Sequence, residues 1–162
     1  MRHRKARCRP STCPSLAANS SALRYNRERY RTMVVQEIMS EQPFAIEANR
    51  TVREAMNRLL SQDIRHLPVL DGGILVGMLS DRDVRGVAAD ALAGESDQLS
   101  LPVSEIMSSD PITVDPETDV TEVIDLMLEH RVGAVPVVVD EKLVGIVSYV
   151  DVLRVARLEL EG

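Results

Sequence analysis

The sequence predicts an α+β protein made of two βαββα repeats that pack on each other. The first observation is an internal duplication. Shifting the chain by 68 positions aligns Val35–Val84 with Val103–Val152 without a gap, and 17 of those 50 positions are identical. The second is that each copy has one amphipathic helical pattern followed by two short β-branched runs with turn residues between them. Because a unit of about 50 residues cannot bury both faces of a three-stranded sheet alone, the two copies are expected to share an interface.

Three short strands are predicted in each repeat, after a lead-in segment that ends in Ile-Met. In the first copy they are Phe44–Ile46, Leu67–Leu70 and Ile74–Ser80, and in the second Ile112–Val114, Val135–Val139 and Leu143–Ser148. The second and third strands of each copy are separated by Asp-Gly-Gly or Asp-Glu, which predicts a hairpin.

Each repeat is also expected to contain two helices. The first has the start signal of a capping box, Thr51-x-x-Glu54 in one copy and Asp119-x-x-Glu122 in the other. Its apolar residues recur at i, i+3, i+4, i+7 and i+8, which places them on one face. They are Val52, Ala55, Met56, Leu59 and Leu60, and then Val120, Val123, Ile124, Met127 and Leu128. The last helices are predicted at about Asp81–Ala91 and Tyr149–Leu160.

The charge is divided sharply along the chain, whose formal net charge is -6. Residues 1–32 carry nine basic side chains and one acidic one, whereas residues 33–162 carry 10 basic and 24 acidic ones. An acidic body does not suit a surface that binds duplex nucleic acid. Aromatic residues make up only 2 % of the chain, which also argues against base stacking. No apolar run approaches the roughly 18 residues that a membrane span needs.

The basic segment 1–32 is interpreted in three ways: a disordered leader, an arm for nucleic acid or anionic lipid, or a stretch preceding a native start at Met33. The predicted organisation is a leader at 1–32, a first repeat at 33–92, a linker at 93–100 and a second repeat at 101–162. Both cysteines, Cys8 and Cys13, lie in the leader, so the body can form neither a disulfide framework nor a cysteine-based metal site. That absence fits a reducing cytoplasm.

Catalysis finds no support in the sequence. The three histidines have neither metal-ligand nor triad spacing, and there is no phosphate-binding glycine loop or nucleophile elbow. No catalytic residue, no metal site and no required cofactor are therefore predicted, and the protein is not expected to be an enzyme.

With Leu/Val-Pro-Val before each hairpin and Gly-h-h-Ser-x-x-Asp after it (h, hydrophobic), residues 33–160 resemble a tandem pair of cystathionine β-synthase (CBS) domains. The resemblance implies two βαββα repeats around a pseudo-twofold axis, with two clefts that in many members bind adenosine derivatives: AMP, ADP, ATP or S-adenosylmethionine. It also implies homodimerisation.

The resemblance assigns candidate ligand-binding residues position by position. Ser80 and Asp83, and their equivalents Ser148 and Asp151, would hold the ribose, and each pair is also a helix capping box. Backbone groups of Ile46 and Val114 would meet adenine. Arg65 and His66 would bind phosphate. The second copy has no charge at those two positions, only Arg131 further upstream, so two unequal sites are expected.

The expected function is a regulatory one: a cytoplasmic CBS pair that binds an adenosine nucleotide as regulatory ligand and modulates an unknown partner protein. Neither a membrane nor nucleic acid is expected as a partner. Two alternatives stay open. One is a ligand-free structural or dimerisation module, and the other is a nucleic-acid-associated regulator that uses the basic arm.

Overall fold

The computed structural model describes residues 33–92 and 98–161. The leader 1–32 and linker residues 93–97 lie outside the described residues. Within the described ranges the helices are α1 (Val52–Ser61), α2 (Asp81–Leu92), α3 (Val120–His130) and α4 (Tyr149–Glu161). The strands are β1 (Ser40–Glu41), β2 (Ile46–Glu47), β3 (His66–Asp71), β4 (Ile74–Ser80), β5 (Ser108–Ser109), β6 (Ala134–Val139) and β7 (Lys142–Ser148). Short 3-10 turns occupy Val35–Glu37, Gln98–Ser100 and Val103–Glu105.

Two sheets form the centre of the molecule, and each is built on one of the predicted hairpins. The first has the order β2-β3-β4-β5 and the second the order β1-β7-β6. The β3–β4 and β6–β7 hairpins are antiparallel, and both have a register shift at the same place, after Val69 and after Val137. The sheets meet where β4 contacts β7. The predicted α+β fold with two repeated units is confirmed.

The lead-in segment of each repeat completes the other repeat. β1 lies near the start of the first repeat but pairs with β7 of the second, and β5 lies near the start of the second repeat but pairs with β4 of the first. The backbone N–H of Val35 donates to the carbonyl of Thr118 at 2.9 Å, and that of Val103 donates to the carbonyl of Arg50 at 2.7 Å. Both valines are fully buried, each in the core of the opposite repeat. The two halves are therefore interlocked along the chain.

The side chains of both cores are aliphatic or methionine. The first contains Ile46, Val52, Ala55, Leu59, Leu67, Val69, Leu79, Val84 and Val103, and the second contains Val35, Val114, Val123, Met127, Val135, Val137 and Val147. Met39 and Met107 pack against the second and first cores, respectively. Each sulfur sits where the sheet has a glycine: a Cβ on Gly77 would lie 2.4 Å from the Sδ of Met107.

The first predicted strand of each repeat is wrong in its bounds. In the first repeat only Ile46–Glu47 pairs with β3, and Phe44 is exposed. In the second repeat the strand is reduced to a single parallel bridge between Val114 and Val137. The reason is the exchanged lead-in. The chain must cross from β7 of one sheet to β3 of the other, so residues before Ile46 cannot pair with β3.

The prediction of a capping box is confirmed for α1 and is wrong for α3. The Oγ1 of Thr51 accepts from the N–H of Glu54 at 3.2 Å, and the Glu54 carboxylate accepts from the N–H of Thr51 at 2.9 Å. Asp119 is the N-cap of α3, but its side chain makes no capping bond. Its backbone is already fixed by a bridge to Val34 of the exchanged segment.

The apolar stripe of the first helix in each repeat is narrower than predicted. Leu60 and Leu128, the last residue of each stripe, are 68 % and 72 % exposed. At about 100° per residue, the i+8 position lies roughly 80° from the first residue of the stripe, at its edge. These two leucines therefore belong to the molecular surface.

Candidate ligand site between the two repeats

Ser80 and Asp83 lie where β4 ends and α2 begins. The Oδ2 of Asp83 accepts hydrogen bonds from the backbone N–H of Ser80 at 2.8 Å and from its hydroxyl at 2.6 Å. The N–H of Asp83 donates to the Oγ of Ser80 at 3.4 Å. This reciprocal pattern is a capping box, and it satisfies donors that the first turn of a helix otherwise leaves unpaired. Within the described residues, the Oδ1 of Asp83 accepts no hydrogen bond.

Ser148 and Asp151 repeat this arrangement where β7 ends and α4 begins, with one difference. The Oδ2 of Asp151 accepts from the N–H and the hydroxyl of Ser148, at 2.9 and 2.6 Å. Its Oδ1 accepts from the Nη1 of Arg154 at 3.1 Å. Asp151 is only 8 % exposed. Both oxygens of this carboxylate are therefore already engaged inside the second repeat.

Arg65 lies immediately before β3 and reaches across to the second repeat. Its carbonyl accepts from the N–H of Asp81 at 2.9 Å, which fixes the backbone beside the start of α2. Its Nη1 donates to the hydroxyl of Tyr149 at 3.0 Å. In the part of the chain that the structure describes, no carboxylate forms an ion pair with this guanidinium. Its positive charge is held by a neutral partner.

His66 is half-buried at the same junction. It pairs with Ser80 across the β3–β4 hairpin. Its imidazole lies against Gly133, where an added Cβ would be 2.7 Å from the Nε2. Burial lowers the pKa of His66, and the Arg65 charge acts in the same direction, whereas Asp83 and Asp81 oppose the shift. At neutral pH the ring is therefore uncharged, and the guanidinium is the positive charge of the pair.

The structure brings Arg65, His66, Ser80 and Asp83 together, whereas the other predicted residues Ile46, Val114 and Arg131 lie on other elements. Ile46 and Val114 are buried in the two cores, beside Val69 and Val137. Arg131 is exposed and left-handed (φ 56°) at the C-terminus of α3. Among the described residues, no hydrogen bond joins these three to the serine–aspartate pairs.

A cavity of about 360 Å³ lies beside β2, away from the serine–aspartate pairs. Of the predicted binding residues, only Ile46 lines it. Its remaining lining residues are Ala45, Glu47, Arg50, Glu54, Arg58 and Leu70. Its two arginines are already occupied, since Arg50 pairs with Glu54 at 3.3 Å and Arg58 donates to the carbonyl of Ala45. The Glu54 carboxylate neutralises the charge of Arg50, whereas Arg58, like Arg65, donates to a neutral oxygen.

Sequence reasoning missed Tyr149, Gly133 and Arg154. The 68-residue shift contains a signal for the first two: Tyr149 replaces Asp81, and Gly133 replaces Arg65, so each breaks the repeat. The bond between Arg65 and Tyr149 joins positions that are not equivalent, and only the packing of the two repeats could reveal it.

Within residues 33–92 and 98–161, no helix has the length and apolarity to cross a membrane. The same ranges contain no group of three or more His, Cys, Asp or Glu side chains placed to hold a metal ion.

Comparison with known proteins identifies the family. The model of the CBS domain matches twice, at residues 35–90 and 103–157. The chain is 31 % identical over 118 residues to the CBS domain-containing protein YhcV of Bacillus subtilis, covering 72 % of this chain and 81 % of that protein.

Solved structures of CBS pairs have the same fold. The CBS domain pair of protein MJ0100, in complex with 5′-methylthioadenosine and S-adenosyl-L-methionine, superposes with a TM-score of 0.68 at 32 % identity, covering 78 % of this chain and 98 % of that one. CBSX2 in complex with AMP, a protein of Arabidopsis thaliana, superposes with a TM-score of 0.68 at 28 % identity, covering 80 % of this chain and 98 % of that one. With two matched domains and two interlocked βαββα units, this chain belongs to the CBS domain family as a tandem CBS pair.

Proposed function

We propose that this protein binds an adenosine nucleotide at the junction between its repeats and regulates a partner protein without catalysing a reaction. The observation that carries the proposal is the position of Arg65. The Arg65 backbone bonds to Asp81 next to the Ser80–Asp83 pair, and its guanidinium bonds to Tyr149 of the opposite repeat and forms no ion pair within the described residues. That CBS pairs of the same fold have been solved with AMP and with S-adenosyl-L-methionine supports an adenosine-containing ligand.

The ribose is proposed to bind at Asp83. A carboxylate oxygen can accept hydrogen bonds from the vicinal ribose hydroxyls, and a hydrogen bond to a charged group contributes about 1.5–3 kcal/mol. Capping uses only the Oδ2 of Asp83, so its Oδ1 remains available for a ligand. The cap and the ribose site are therefore compatible in one residue.

A phosphate is proposed to bind at Arg65. Guanidinium donors match phosphate oxygens in geometry and charge. The neutral Tyr149 hydroxyl does not cancel that charge. AMP, ADP or ATP should therefore bind this site more tightly than S-adenosylmethionine, which carries a positive sulfonium where the nucleotides carry phosphate.

The Ser80–Asp83 and Ser148–Asp151 sites are proposed to differ in their affinity for nucleotide. In the second repeat Gly133 stands at the position of Arg65, and the His66 ring occupies the space that a side chain there would need. Arg154 also occupies the Oδ1 of Asp151. The Ser80–Asp83 site should therefore bind nucleotide more tightly than the Ser148–Asp151 site.

Regulation would follow from a ligand that contacts both repeats. Such a ligand favours one arrangement of the two halves, and a partner protein that distinguishes the arrangements responds to it.

We further propose that the protein is a homodimer. Large aliphatic side chains are exposed on α4, among them Val150, Leu153 and Leu158, whereas Val155 on the same helix is half-buried. Exposed apolar surface of this kind marks interfaces, and twofold dimers are the commonest closed assemblies.

Isothermal titration with AMP, adenosine and S-adenosylmethionine tests the binding proposal. Asp83→Asn keeps an oxygen for the cap but removes the charge, and should weaken AMP binding roughly 10- to 150-fold. Asp151→Asn should have a smaller effect on the tighter site. Melting curves of both variants control for the loss of a cap, which costs about 0.5–2 kcal/mol.

A wild-type protein that binds none of the three compounds, and that releases no nucleotide on denaturation after native purification, would refute the binding proposal. The structural or dimerisation module would then be the better reading. Light scattering at micromolar concentration tests the dimer, and a monomer would contradict it.

A further inference from the structure

Tyr149 connects the two repeats at the proposed phosphate position. Its hydroxyl accepts from the Nη1 of Arg65, a residue 84 positions earlier in the chain, at 3.0 Å. Its ring lies beside Gly133, where an added Cβ would be 3.6 Å from its Cδ1, and its N–H donates to the carbonyl of Gly133 at 3.1 Å. The ring and backbone of Tyr149 are therefore held by the second repeat.

The Arg65 guanidinium bonds to the neutral Tyr149 hydroxyl although a carboxylate-bearing residue is adjacent to it. Asp81 is adjacent to Arg65, since its backbone N–H donates to the Arg65 carbonyl. The Asp81 side chain is paired instead with Arg85, whose Nε lies 2.9 Å away. Arg65 is thus oriented by a neutral phenol, which fixes its direction without neutralising it.

We infer that Tyr149 is a positioning residue for phosphate recognition, because it orients the guanidinium of Arg65 across the junction before the ligand arrives. An arginine side chain loses much rotamer entropy when it is fixed, and orienting it in advance reduces the entropy that ligand binding must still remove. The guanidinium has five N–H donors, so one bond to Tyr149 leaves others for an anion. This inference rests on the proposed nucleotide site and assigns part of its specificity to the second repeat.

AMP and adenosine differ only in the phosphate group. AMP needs the oriented guanidinium, and adenosine does not. Removing the Tyr149 hydroxyl should therefore weaken AMP binding and leave adenosine binding unchanged. A purely structural role for the bond would weaken both ligands equally or neither.

The experiment is isothermal titration of the full chain with AMP and with adenosine. Tyr149→Phe keeps the ring against Gly133 and should weaken AMP binding roughly three- to tenfold, the loss expected for one hydrogen bond. In an Arg65→Ala background the same substitution should have no further effect on AMP, because Tyr149 acts through Arg65. Lys142→Ala, which removes an exposed positive charge from the first residue of β7, is the matched control and should leave both affinities unchanged.

Tighter AMP binding in Tyr149→Phe would overturn the inference, since Tyr149 would then compete with the ligand for Arg65. Equal losses for AMP and adenosine would overturn it as well, while leaving the proposed nucleotide site intact. If the wild-type chain binds neither compound, the proposed function fails and the inference fails with it.

Discussion

The exchanged lead-in segments predict that Val35→Ala destabilises the second repeat rather than the first, in whose sequence Val35 lies. Val35 is fully buried, and its neighbours in the core include Val123, Val137 and Val147. The substitution removes two carbon atoms, worth about 0.8 kcal/mol each by transfer. The cavity left behind adds to this, so the free energy of unfolding should fall by about 2–3 kcal/mol.

The assay combines urea unfolding with hydrogen exchange, which reports the stability of separate segments. Val35→Ala should reduce protection in α3, β6 and β7. Val103→Ala is the matched substitution, because Val103 occupies the same position in the first core, and it should reduce protection in α1, β3 and β4. Gln36→Ala, at an exposed side chain next to Val35, should change the free energy by less than about 0.5 kcal/mol.

Loss of protection confined to α1, β3 and β4 in Val35→Ala would refute the exchanged arrangement. So would equal loss in both repeats, because the contribution of Val35 would then not be specific to the second core.

Four other substitutions test local features. Thr51→Ala should lower the free energy of unfolding by about 1 kcal/mol because it breaks a capping box, whereas Asp119→Ala should lower it less, since that side chain makes no capping bond; thermal unfolding compares the two. Glu141→Gly should raise the free energy of unfolding by about 1 kcal/mol, because Glu141 has a φ of 63° in the β6–β7 turn, a conformation that favours glycine. A lower denaturant midpoint in this variant would contradict the expectation. Burial lowers the pKa of His66 in the folded protein. The Arg65 charge also lowers this pKa, whereas the charges of Asp83 and Asp81 raise it. The unfolded chain therefore takes up this proton first as pH falls, so stability should decrease below about pH 6.5, and His66→Gln should flatten that slope in melting curves; an unchanged slope would contradict it.

The sequence by itself determined the two-unit architecture. A gapless repeat of 68 residues, with helical and strand periodicities in both copies, predicted two hairpins and four helices, because hydrophobic periodicity directly reflects which face of an element is buried. It also identified both serine–aspartate pairs at helix starts, since a capping box is a local pattern of residues three positions apart.

Only the tertiary structure decided how the repeats interlock and which groups face each other between them. The pairing of β1 with β7, and the bond between Arg65 and Tyr149, join residues far apart in the chain that are not equivalent in the two repeats. Local periodicity carries no information about such contacts. They depend on how two similar units pack, and that packing places Arg65 beside a neutral hydroxyl.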